Sequence, residues 1–61
     1  MARMVRFVET ASQLIVFVNP DLVRVVMPNP QKGTDIIFDN GHMTTVVEQV
    51  EQVVKLLDAE R

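Results

Sequence analysis

The chain has 61 residues, a formal net charge of −2 at pH 7 and no cysteine. A chain of this length forms at most one small domain, here residues 1–61, and small domains often add disulfides, a metal or a partner chain to a thin core. The lack of cysteine excludes disulfides, and one histidine leaves too few ligands for a structural zinc site. Self-association is the remaining means of burying more apolar surface.

Charge and hydropathy exclude several classes of function. The pI is about 5.1, and the basic residues are scattered, which argues against a nucleic-acid footprint. No apolar run reaches the roughly 18 residues of a membrane span, and residues 1–10 lack the apolar core of a signal peptide. We therefore expect no membrane span and a cytoplasmic location. The basic residues are Arg3, Arg6, Arg24, Lys32, Lys55 and Arg61.

Most of the chain has the pattern of short antiparallel strands. The first two apolar segments are joined by the polar turn TASQ, and Pro20 ends the second segment. A tight turn at 21–22 precedes a third segment, and no ladder can pass through the loop PNPQKG at 28–33. The pair Asn40-Gly41 is a strong hairpin signal and predicts a type I′ turn. The predicted strands are residues 4–9, 14–19, 23–27, 34–39 and 42–45.

From Thr45 the apolar period changes from two to about 3.6, which indicates an amphipathic helix. Thr45-x-x-Glu48 has the form of a capping box, and Glu51 precedes Lys55 by one helical turn. We predict a helix over residues 46–58, packed on one face of the sheet. The fold class is therefore α+β, with a small antiparallel sheet of four to five strands built from β-hairpins. The helical stripe consists of Val46, Val50, Val53 and Leu57.

One helix can cover only one face of such a sheet, yet several strands are apolar on both faces. Strands of this kind are usually covered on both sides, and the chain has no second helix to provide the cover. We therefore predict a homo-oligomer, a dimer or larger, whose subunits meet through the uncovered face. The predicted interface residues are Ile15, Phe17, Val26 and Ile37.

The candidate chemistry is sparse. His42 and Asp39 flank the Asn-Gly turn and could form an acid-base pair, but no serine or cysteine nucleophile matches them, so we interpret His42 as an exposed turn residue. Asp35 and Asp39 are expected to be solubilising charges on one strand face, and Met27 and Met43 to fill an irregular core. We predict no catalytic residue, no cofactor and no metal site, and hence a protein that is not an enzyme.

The order of elements resembles the small flagellar proteins of the FlbD/SwrD type and similar short bacterial and phage proteins. The resemblance covers about residues 14–57 and departs from the family at the first turn and at the longer PNPQKG loop. It implies a non-enzymatic accessory to flagellar function, without catalytic residues to carry over. The residues that carry it are Phe17-Val-Asn19, Leu22-Val23, Thr34-Asp-Ile36, Asn40-Gly41 and Glu48-Gln-Val50-Glu-Gln-Val53-Val54.

Two functions of different classes are consistent with the sequence. The first is a self-associating accessory or regulatory protein that acts by contact with a protein partner, whose identity the residues do not give. The alternative is a nucleic-acid-binding regulator in which a dimer assembles scattered residues into a basic patch, with Arg3, Arg6, Arg24 and Lys32 as its members.

Overall fold

A computed structural model describes residues 3–59, so Arg61 lies outside the described residues. The α+β class is confirmed, with five strands and one helix. The strands form two antiparallel sheets, of two and three strands, and the predicted single sheet of four to five strands is not confirmed. The elements are β1 (Val5–Val8), β2 (Ile15–Val18), a 3-10 turn (Pro20–Leu22), β3 (Val23–Pro28), β4 (Thr34–Phe38), β5 (Met43–Val46) and α1 (Val50–Ala59).

The first sheet is the β1-β2 hairpin, closed by the predicted TASQ turn. The Glu9 amide donates to the Leu14 carbonyl at 2.9 Å, and the Gln13 amide donates to the Glu9 carbonyl at 2.9 Å. Gln13 has a φ of 61°, which is the left-handed conformation that such a bulged turn requires. The turn therefore fixes the register in which Val8 faces Ile15.

The second sheet has the order β3-β4-β5, with β4 in the centre. The hairpin predicted at Asn40-Gly41 joins β4 to β5, but its turn is not type I′. The Gly41 amide donates to the Phe38 carbonyl and the Phe38 amide to the His42 carbonyl, each at 2.9 Å. Gly41 has a φ of 85°, whereas Asn40 is not among the described residues with positive φ. A type I′ turn needs positive φ at both positions, so this loop is a three-residue turn with a glycine bulge.

The end of β1 joins the two sheets. Glu9 and Val46 form a single antiparallel bridge. On either side of it the Thr10 amide donates to the Thr45 carbonyl at 2.8 Å, and the Val47 amide donates to the Val8 carbonyl at 2.9 Å. β1 therefore has β2 on one side and the end of β5 on the other.

The helix begins four residues later than predicted. Thr45 and Val46 lie in β5, opposite Asp35 and Thr34, so the prediction of a capping box at Thr45 is wrong. Val46 is fully buried in the sheet, and an apolar residue at this boundary fits a strand pattern as well as a helical stripe. Among the described residues, α1 is the one α-helix, and it lacks the length and apolar character needed to span a membrane.

The core lies between the inner faces of the two sheets and the buried stripe of α1. Phe7 supplies the one fully buried aromatic ring of the described residues, and Val53 and Leu57 supply the buried stripe of the helix. Strand residues on the inner faces fill the remaining space. The buried core consists of Val5, Phe7, Val18, Ile36, Val46, Val53 and Leu57.

Candidate interaction surface

Two large apolar side chains stand together on the outer face of the first sheet. Ile15 is 49% exposed and Phe17 is 61% exposed, whereas Val18 of the same strand is buried. Side chains alternate across a strand, so Ile15 and Phe17 share the face turned away from the core. They lie opposite Val8 and Arg6 of β1. We call Ile15 and Phe17 the β2 patch.

A second apolar group crosses the outer face of the three-stranded sheet. Val25 pairs with Ile37 across β3 and β4, and Ile37 pairs with Met43 across β4 and β5. Ile36, the neighbour of Ile37 in β4, is fully buried, which places the row on the opposite face. Met43 is 59% exposed, so it is not the core filler expected from the sequence. We call Val25, Ile37 and Met43 the outer row.

The structure separates the four predicted interface residues. Ile15 and Phe17 lie side by side in the β2 patch, whereas Ile37 belongs to the outer row of the other sheet. Val26 pairs with Ile36 and packs against the core, so its expected position on the uncovered face is wrong. A register shift between Val23 and Val25 marks a bulge in β3. The strand is apolar on both phases, so the pairing with β4 decides which valine faces inward.

The prediction that Asp35 is a solubilising charge on an exposed strand face is wrong. It lies in the central strand β4 and is only 8% exposed. Its Oδ1 accepts hydrogen bonds from Asn29 Nδ2 at 2.9 Å and from Thr45 Oγ1 at 2.7 Å. These two bonds hold the pKa of Asp35 below its ordinary value, and the bond from Asn29 has the larger effect. Asp35 thus ties the loop after β3 to β5.

Asn29 organises the PNPQKG loop around this carboxylate. Its Oδ1 accepts the amide hydrogens of Gln31 at 2.9 Å and of Lys32 at 3.3 Å, while its Nδ2 donates to Asp35. Both ends of one amide group are therefore occupied. The loop contains two prolines and a glycine, yet its path is fixed by hydrogen bonds that begin at a single side chain.

The segment around His42 forms one wall of an open cleft of about 370 Å³. The His42 amide donates to Asn40 Oδ1 at 3.0 Å, so the Asn40 side chain stabilises the turn. His42 and Asp39 are both exposed, which is the position expected for His42. Three apolar and three polar residues line it, and they are Leu22, Phe38, Asp39, Asn40, His42 and Met43.

A smaller cleft of about 240 Å³ lies where the first hairpin meets the PNPQKG loop at 28–33, which we call the Asn29 loop. Thr10 Oγ1 is buried there without a hydrogen-bond partner among the described residues. Ala11, Gln31 and Lys32 also line the cleft. Within residues 3–59, no group of three or more histidine, aspartate or glutamate side chains is placed to hold a metal ion.

The residues named for a basic patch are distributed over separate elements. Arg6 lies on β1 opposite Phe17, Arg24 lies at the bulge of β3, and Lys32 lies in the Asn29 loop. All three are exposed. They belong to different sheets and loops of the monomer, so the nucleic-acid hypothesis still depends on an assembly to bring them together.

No protein-family profile, curated protein sequence or solved structure matches the chain. The resemblance to small flagellar proteins of the FlbD/SwrD type therefore stays a prediction from sequence.

Proposed function

We propose that this chain is a non-enzymatic protein that self-associates through the β2 patch and acts by protein contacts, as an accessory or regulatory subunit. The observation that carries the proposal is the exposure of Ile15 and Phe17 on one face of an uncharged strand. The flagellar accessory role implied by the sequence resemblance is consistent with such a subunit.

Burial of these side chains gives self-association its driving force. Removing a phenylalanine or isoleucine side chain from water contributes about 1.5–3 kcal/mol. A dimer with two-fold symmetry buries two copies of the patch, because both subunits supply the same surface. Aromatic side chains are also typical anchors of protein interfaces. Phe17 is the most exposed of the three phenylalanines and is therefore the proposed anchor.

Sedimentation velocity on two matched variants tests the proposal. Phe17→Asp places a charge within the β2 patch, and we expect it to convert the oligomer to a species of 6.9 kDa. Met43→Asp is the control, because Met43 is exposed to a similar extent, 59% against 61%, but lies on the other sheet. We expect Met43→Asp to keep the mass of the wild-type protein.

Two results would count against the assignment. If Met43→Asp rather than Phe17→Asp yields the monomer, the outer row forms the interface and the β2 patch does not. If both variants keep the wild-type mass while circular dichroism shows native folding, the subunits meet through neither surface.

A further inference from the structure

β2 has a free hydrogen-bonding edge as well as an apolar face. The bond from the Glu9 amide to the Leu14 carbonyl identifies a hydrogen-bonded pair at that end of the hairpin. Such pairs alternate along an antiparallel ladder, so Phe7 with Val16 is the next one. The N–H and C=O groups of Ile15 and Phe17 must therefore point away from β1. β2 is the end strand of its sheet, so no strand among the described residues takes these groups.

The other end strand, β3, is protected against pairing. The bond from the Asn29 amide to the Gly33 carbonyl sets the same alternation there, so the backbone of Pro28 points outward. Proline has no amide hydrogen to donate, and the bulge between Val23 and Val25 further disturbs that edge. Prolines and bulges are devices by which proteins block edge pairing. β2 carries neither of them.

We infer that a second copy of this chain pairs its β2 with β2 edge to edge, in antiparallel orientation about a two-fold axis at Val16. This inference rests on the proposed self-association and specifies its geometry. A strand whose outward groups lie at Ile15 and Phe17 is complementary to itself, because Ile15 then faces Phe17 of the partner subunit and Phe17 faces Ile15 of the partner subunit. The register gives about four main-chain hydrogen bonds and one sheet of four strands.

The same register suits the side chains and the charges. It places each Phe17 ring across from the partner subunit's Ile15 on the outer face, an aromatic and β-branched pair of the kind that stabilises sheets. β2 contains no charged residue, so no like charges meet across the junction. Arg6 of β1 lies one strand away, beside Phe17, at the rim. Main-chain hydrogen bonds add to the affinity of such a junction, as they do when a strand is added to an exposed sheet edge.

Amide hydrogen exchange followed by NMR on the full chain tests the inference, with a dilute and a concentrated sample. We expect the Ile15 and Phe17 amides to exchange at least about tenfold more slowly in the concentrated sample, because pairing occurs only in the dimer. The Val16 amide is the internal control, since it donates within the hairpin and is protected in both samples. Sedimentation on the same samples reports the mass.

The outcomes separate this inference from the proposed function. A dimer in which the Ile15 and Phe17 amides exchange rapidly at every concentration overturns the edge pairing and leaves self-association standing. A monomer at every concentration overturns both. Slow exchange of the two amides in the dimer alone supports both.

A pair of variants at one position gives an independent measurement. Phe17→Pro removes an outward N–H that the hairpin does not use, whereas Phe17→Leu keeps that N–H and an apolar side chain. We expect the dissociation constant to rise roughly hundredfold for Phe17→Pro and less than about tenfold for Phe17→Leu. Equal dissociation constants for two folded variants would overturn the edge pairing, and if the proline variant fails to fold, the exchange measurement decides.

Discussion

Gly33 lies where the Asn29 loop passes the end of β5. Its φ is 79°, and a Cβ atom at this position would overlap with the backbone carbonyl oxygen of Val46. Gly41 also has a positive φ, 85°, but a Cβ there would meet nothing. The two glycines are thus alike in conformation and differ in the space around them.

We therefore predict that Gly33→Ala destabilises the fold by clearly more than Gly41→Ala. A positive φ costs an alanine about 1 kcal/mol at both positions, and the overlap at Gly33 adds to this cost because backbone must move. Urea unfolding at a fixed protein concentration gives the two free energies. Equal losses would show that the overlap with Val46 adds no cost at Gly33.

Asp35 makes the stability of the fold depend on pH in the acid range. Hydrogen bonds hold its pKa in the folded chain below the ordinary value, so its contribution is fully present above the ordinary pKa. It is lost as the pH falls through the lowered pKa, because a neutral carboxyl group accepts the bonds from Asn29 and Thr45 more weakly than a carboxylate does. We expect the free energy of unfolding to fall below about pH 4.

The matched variants for this prediction are Asp35→Asn and Asp39→Asn. The first removes the buried titrating group, so its stability should be lower at pH 7 and should change less between neutral and acid pH. The second alters an exposed carboxylate in the turn after β4 and should keep the wild-type profile. Urea unfolding at several pH values measures both, and an Asp35→Asn profile parallel to that of wild type would contradict the prediction.

The sequence could not predict the positions of Asp35 and Val26, for a shared physical reason. An aspartate on a strand is read as an exposed charge, and only the tertiary fold brings Asn29 and Thr45 to its Oδ1. Val26 lies in a strand that is apolar on both phases, so pairing with Ile36 determines its face. Ile15 and Phe17 were easier to place, because a short turn fixes the register of their hairpin.

The strands were predicted well because each apolar run ends at a proline, a glycine or a polar turn. Each predicted strand differs from the observed one by one residue or less at either end. The start of the helix could not be predicted, since Val46 fits both periodicities and is held in β5 by its pairing with Thr34. The division into two sheets was also missed, because sequence shows which strands are neighbours in the chain and not how β1 meets β5.

The helix stabilises the fold through one buried stripe. Val53 is fully buried, and its neighbour Val54 is 44% exposed. We predict that Val53→Ala lowers the free energy of unfolding by about 2 kcal/mol, because it leaves a cavity that the core fills only in part. Val54→Ala makes the same chemical change on the solvent side and should cost less than about 0.5 kcal/mol. Urea unfolding measures the free energy of unfolding of both variants. Similar losses would mean that α1 does not turn Val53 towards the core and Val54 towards solvent.

At the scale of the whole molecule, the surface is the distinctive feature. A domain of this size buries only about 60% of the surface that its unfolded chain exposes. Apolar side chains that stay exposed in the monomer can therefore add stability when a partner subunit buries them. The β2 patch joins such residues to an unprotected sheet edge, whereas the opposite edge carries Pro28 and a bulge. This asymmetry is what a protein that pairs through one edge requires.

Sedimentation equilibrium of the full chain, from about 1 to 100 µM, tests self-association most directly, because it measures mass without assuming a shape. We expect the mass to approach at least twice 6.9 kDa as the concentration rises. A mass of 6.9 kDa at every concentration would show that the chain does not self-associate.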